Sequence, residues 1–242
     1  MFIAFFISVF VAAHVAAEIP SYIHVCNYND PKLIQCILDN VENLKHKICE
    51  GIPELDIPAN DPMMIDKLTL VDSHNTQMFM RNINITGLCD YVIKQFSFDI
   101  DKNHFDVELV FNKIKMNGTY DINLRILVPI KQGGDVYITT DNVEATVNMD
   151  MKVVNNRGKR YLYMSKMKIN IDIKDYDATY NLQGSELNRL QEIIDNFIGN
   201  NKEEIIKVFK PALEKTVSQI VLSVANDIVK HFTYEELFPG RP

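Results

Sequence analysis

The sequence predicts an α+β fold, a long C-terminal helix wrapped by a strongly curved antiparallel β-sheet, elongated and tubular rather than spherical. Three observations carry this. Apolar residues recur with a period of two from about residue 65 to residue 182, as in antiparallel strands with one greasy face. They then recur at helical spacing from residue 201 to residue 232. As helix that stretch runs about 48 Å, whereas a compact globule of this length is only roughly 45 Å across. A helix that spans the molecule and carries a wide apolar stripe must be covered on several sides. A sheet of long strands covers it most economically by curling around it.

The chain begins "MFIAFFISVFVAAHVAA", an apolar run ending in the small-residue sequence Val15-Ala16-Ala17. The run is too short to cross a bilayer, and no stop-transfer segment follows, so residues 1–17 read as a secretory signal peptide. No Lys or Arg precedes the run, so the amino terminus alone supplies positive charge. Residues 18–242 then form one domain, with no integral membrane segment and no low-complexity linker. An apolar fraction of 47% suits a sizeable core, and a net charge of −7 argues against a nucleic-acid partner.

Secretion bears on "CNYNDPKLIQC", residues 26–36, which could be a metal clip, a redox pair or a structural staple. Zinc needs two more ligands, and neither His24 nor His46 stands at a finger spacing. A redox pair would be C-x-x-C. In an oxidising compartment Cys26 and Cys36 are expected to pair, removing about 3 kcal/mol of unfolded-state chain entropy. Cys49 and Cys89 form a second bridge or remain buried thiols; sequence leaves the choice open.

"DPKLIQCILDNVENLKHKICEG" places Leu33, Ile34, Ile37, Leu38, Val41, Leu44 and Ile48 on one helical face, from Asp30-Pro31 to a stop at Gly51. The prolines of "IPELDIPANDP" forbid helix and predict an extended connector. Strands follow through Phe105 to Phe111, Tyr120 to Ile130, Val143 to Val153, Met167 to Ile173 and Tyr176 to Leu182. Turns are expected at Asn117-Gly118, at Gly133-Gly134 and at "NNRG", residues 155–158. Ser185 should cap a short helix containing Phe197, and the long helix follows with Pro211 inside it as a kink. Such a sheet permits a channel against the helix without compelling one.

The chain resembles the takeout and juvenile hormone binding protein family of insects. The residues that carry the resemblance are the leader, the Cys26 and Cys36 pair ahead of a helix, "GIPELDIPANDPMMIDKLTL", "NINITGLCDY" and the closing "FTYEELFP". It covers the whole mature chain and implies a single tubular lipid-binding module with an internal apolar tunnel for terpenoid-like or fatty ligands. It also implies roles in feeding, circadian output or chemosensation. The short cysteine loop and the LFP ending are closer to takeout than to the haemolymph hormone carriers. Cys49 and Cys89 match neither the takeout pattern, which has only the first pair, nor the second bridge that the resemblance implies for the hormone carriers.

Inward aromatics and methionines are the candidate tunnel lining: Phe96, Phe98, Phe111, Tyr120, Met149, Met151, Tyr163, Met164, Tyr180, Phe197 and Phe209. Adaptable Met and rigid Phe suit greasy ligands of variable shape. Tyr120, Tyr163 and Tyr180 are candidate donors to a ligand's polar head. Asn84 (in N-I-T) and Asn117 (in N-G-T) are glycosylation sequons. No histidine spacing marks a metal site, and no G-x-S-x-G elbow marks a hydrolase. The expected function is therefore a secreted, monomeric carrier of a hydrophobic small molecule, without cofactor or catalysis. The alternative is an extracellular interaction protein that acts through its surface, with the basic "NNRGKR" stretch as its contact.

Overall fold

The computed structural model describes residues 19–125, 129–181 and 188–240. The leader and the Ser185 cap lie outside them. Helix α1 (Leu33–Glu50) carries the expected apolar face and ends at Gly51, whose φ of 90° no side-chain-bearing residue adopts easily. Cys26–Cys36 pins the preceding segment to its first turns, with Cα atoms 5.9 Å apart. Cys49 is bonded to Cys89, which resolves the open pairing as a second bridge across a sequence separation of 40. Closing a loop of that length contributes about 4 kcal/mol in the chain-entropy account. Polar contacts brace it: the Asp61 carboxylate accepts from the Gly87 N–H (3.0 Å) and the Cys89 N–H (3.2 Å).

The connector departs from expectation. Pro53–Leu55 is a short 3-10 turn, with Ile52 and Ile57 bridged and Ile52, Leu55 and Ile57 all buried. Proline at a helix start costs nothing, because its missing N–H would have no partner there.

The sheet comprises β1 (Met63–Asp72), β2 (Thr76–Thr86), β3 (Tyr91–Asp99), β4 (His104–Arg125), β5 (Pro129–Asn156), β6 (Lys159–Asp172) and β7 (Asp177–Tyr180). All pairings are antiparallel, in the order β1-β2-β4-β5-β6, with β3 also on β4 and β7 also on β5. Two expected turns are strand interior. Gly118 sits within β4, opposite an irregularity in β2 where Asn82 takes φ 49°, and a Cβ there would meet the Arg81 carbonyl at 2.8 Å. Gly133 and Gly134 sit within β5, and a Cβ on Gly134 would lie 2.0 Å from the Asn181 carbonyl. Glycine here permits close backbone approach rather than reversal. The "NNRG" turn is a turn, with Arg157 at φ 51° and Gly158 at φ 79°.

Long strands change which parity faces inward. In β4 Phe105 and Val107 pack inward, then Met116, Tyr120 and Ile122 do; in β5 Val136 and Ile138 give way to Val147 and Met149. The switches flank Asn112 and Asn142, which break the ladder opposite each other, Asn142 at φ 52°. Such local irregularities bend and twist a sheet.

Helices α2 (Asn188–Asn200), α3 (Lys202–Val229) and α4 (Tyr234–Leu237) complete the chain. The α3 helix is about 42 Å long and contains Pro211. It packs against β6 and also against β1, the two opposite borders of the sheet order. Both borders can reach one helix only if the sheet curls around it.

Its border with β6 is directed. Asn226 accepts from the Met164 N–H (2.8 Å) and donates to the Met164 carbonyl (3.0 Å). Glu214 accepts from the Ile171 N–H (2.9 Å), and Lys210 donates to Asn170 (2.8 Å). Asn226 and Glu214 thereby occupy unpaired backbone groups of an edge strand, which would otherwise template aggregation.

Candidate functional site

Two apolar clusters lie between α3 and the sheet, strung along the helix. One gathers Met149, Met151, Met164 and Met167 with Leu162 and Tyr234, and packs Phe98, Phe105 and Phe238 against them. It meets α3 at Val221, Leu222, Ala225 and Val229. The other gathers Leu68, Met80, Ile83, Tyr120 and Val136, with Met116, Ile122 and Tyr180 beside them, and meets α3 at Leu213. From Leu213 to Ala225 is about 18 Å along the helix axis. A third cluster of Ile52, Leu55, Ile57 and Phe232 closes the end under α1's connector.

Seven expected lining residues lie on or beside this surface. Phe98, Met149, Met151 and Met164 belong to the first cluster, and Tyr120 and Tyr180 to the second. Phe209 is half-buried one turn before Leu213, on the same helix face. Phe96 and Phe111 are half-buried in aromatic pairs, Phe96 with Phe105 (6.1 Å between centroids) and Phe111 with Tyr91 (6.0 Å).

Two expectations are corrected. Tyr163 is 48% exposed, because its neighbours Leu162 and Met164 take the inward positions of β6. Phe197 is 60% exposed on α2. The sequence reading missed Leu68, Met80 and Ile83, although alternation in "MMIDKLTL" and "TQMFM" marks their strands. It also missed Leu213 by favouring aromatics.

The interior tyrosines are already engaged. Tyr120 Oη donates to the Asn181 carbonyl (2.9 Å), and Tyr180 Oη donates to Asp195 Oδ1 (2.6 Å). The rings meet edge to face at 6.4 Å. Burial raises both phenol pKa values, and for Tyr180 the Asp195 hydrogen bond adds to the rise, so both stay neutral donors across the physiological range. A ligand head group would meet their oxygens as acceptors, not free O–H groups.

The sequons meet. Asn84 of β2 and Asn117 of β4 are direct cross-strand partners, Asn117 exposed and Asn84 half-buried. A separate trough of about 500 Å³, open to solvent on the outer face, is lined by Gln77, Phe79, Arg81, Asp121 and Lys131 and mixes polar and apolar surface about equally. It is not part of the interior. No described helix is long and apolar enough to cross a membrane.

A family profile described as haemolymph juvenile hormone binding protein matches residues 4–239. The chain belongs to that family. A putative beta-carotene-binding protein of Schistocerca gregaria is 19% identical over 222 residues, 90% of this chain and 89% of its own. The juvenile hormone-binding protein of Manduca sexta is 34% identical over 68 residues, 27% of this chain and 30% of its own. Among solved structures, Takeout 1 of Epiphyas postvittana matches with a TM-score of 0.70 at 19% identity, covering 89% of this chain and 99% of its own. That likeness fixes the fold: a curved antiparallel sheet around a long C-terminal helix.

Proposed function

We propose that this family member is a secreted, monomeric carrier that encloses one hydrophobic small molecule in an apolar tunnel between α3 and the sheet. The observation that carries the reading is incomplete burial of the apolar face that α3 turns to the sheet. Both sheet borders reach α3, yet of its 28 residues only Val229 is buried. Leu213, Val221, Leu222, Val224, Ala225 and Ile228 all face apolar clusters and all retain some accessibility. Close-packed cores leave few voids beyond the size of a water molecule, so this pattern supports an unfilled interior. Enclosing about 300 Å² of a ligand's apolar surface contributes about 7 kcal/mol before ordering costs, so binding needs no specialised chemistry.

The ligand class is terpenoid or fatty. The Schistocerca and Manduca relatives are named for beta-carotene and juvenile hormone, which share greasiness rather than shape. Secretion is supported by two disulfides, which persist in oxidising compartments. A glycan fits Asn117, the exposed member of the sequon pair. The β1 border is the natural opening: α3 meets it through Leu213 and the Leu68 cluster, without, among the described residues, the directed bonds that fasten β6.

Filling the space tests this reading. Leu213→Trp and Met116→Trp both enlarge half-buried lining residues. In an open tunnel each should lower uptake of a fluorescent fatty-acid probe at least tenfold while leaving thermal stability nearly unchanged. In a filled core each would cost about 1–3 kcal/mol by overpacking, and the wild type would take up no probe.

A further inference from the structure

The ribbon that joins β5 to β6 has a use that the interior does not explain. Residues 152–159 are all exposed, on both faces of a paired hairpin, so the ribbon stands clear of the body. Its loop is two residues long, with positive φ at both Arg157 and Gly158, the compact geometry that suits hairpin twist. A Cβ placed on Gly158 would meet nothing within 4 Å. Apolar side chains are displayed here at a cost: Val153 is 39% exposed, Val154 41% and Tyr163 48%.

Charge singles out the same ribbon. Lys152, Arg157, Lys159, Arg160, Lys166 and Lys168 are basic, and no acidic residue occurs from 151 to 171, in a chain of net charge −7. Arg160 is held by Glu235 (2.5 Å), and Glu236 caps Thr233, so the acidic residues of neighbouring α4 are occupied. Lys152, Arg157 and Lys159 remain at the tip, beside the two valines.

We infer that this hairpin is a docking element for a bilayer surface carrying anionic lipids. Val153 and Val154 are successive strand residues and point to opposite faces, each with basic neighbours. A protein groove would cover one face of such a ribbon. Oblique immersion of the ribbon in the headgroup zone covers both, with Arg157, Lys159 and Lys152 on lipid phosphates and the valines, about 10 Å back from the turn, lying between them. The hairpin continues the strands that hold Met149, Met151 and Met164, so docking sets that end of the tube against the membrane. The inference rests on charge and exposure, and it holds whether or not the interior carries a ligand.

The test is flotation of the mature chain with vesicles of phosphatidylcholine alone or with phosphatidylserine. Binding should require phosphatidylserine and weaken with salt. Arg157→Ala with Lys159→Ala should lower partitioning about 25-fold, roughly fivefold per charge near the surface. Val153→Ser with Val154→Ser should lower it at high salt as well, while Lys94→Ala with Lys115→Ala, on other strands, should leave it unchanged. Circular dichroism melts confirm that each variant is folded. Absence of phosphatidylserine-dependent binding overturns the inference, as does equal loss in the control pair. So does capture of soluble polyglutamate in preference to vesicles, which would make the partner an acidic protein.

Discussion

His104 shows how a single side chain ties two neighbouring strands together. Its Nδ1 lies 2.6 Å from Asp150 Oδ1 and its Nε2 lies 3.1 Å from Asp106 Oδ1, where β4 meets β5. The Asp150 hydrogen bond raises the imidazole pKa, partial burial opposes it, and Asp106 adds to the rise. A raised folded pKa means the contribution is complete below the unfolded value, near pH 6.5, and is lost as pH rises through the folded value. Asp106 runs the other way. The Asn148 amide first, and His104 second, hold its pKa down, so its contribution is present above about pH 4 and is lost on acidification. The cluster therefore stabilises most in the mildly acidic range between. We predict that His104 titrates above free histidine by NMR and that Asp150→Asn brings it down; a wild-type value at or below that of free histidine contradicts the assignment. The same scale explains a misreading. Tyr163 and Met164 are adjacent in a strand, so only one can face the interior, and composition alone gave no reason to prefer the methionine.

The elements were legible where periodicity was unbroken. α1, α3, the strand region and the "NNRG" hairpin follow directly from apolar spacing and turn residues. What the spacing hid was continuity: β4 and β5 are single strands of 22 and 28 residues. Asn117-Gly118 and Gly133-Gly134 look like turns, because the same freedom that reverses a chain also lets two backbones approach closely. The parity switches at Asn112 and Asn142 depend on each other across the ladder, which no local pattern reports. Nor did any pattern announce the fastening of α3 to β6, since Asn226 and Glu214 read as solvent-facing helix polars. We predict that Asn226→Ala leaves the Met164 N–H and carbonyl without partners and costs about 2–4 kcal/mol, measured by urea denaturation. It should also speed amide exchange along β6. A change under about 0.5 kcal/mol, the usual range for surface substitutions, would show that the border is held by apolar packing instead.

At the scale of the whole molecule the sheet curls around the helix, with separate apolar clusters between them and two disulfides near the start of the described chain. The tubular architecture followed from one comparison of lengths, a helix as long as the globule would be wide. Whether the tube is open did not follow, because inward Phe and Met residues pattern identically in a filled core and in a lined channel. Partial accessibility along the sheet-facing side of α3 is the observation on which the proposed open tunnel rests. The most direct measurement is native mass spectrometry of the chain secreted from insect cells, followed by solvent extraction and identification of what is released. The account predicts a mature monomer beginning at Glu18, with an added mass that leaves on denaturation and proves to be a terpenoid or fatty species. A bare polypeptide mass, together with failure to take up any added lipophile, would contradict it.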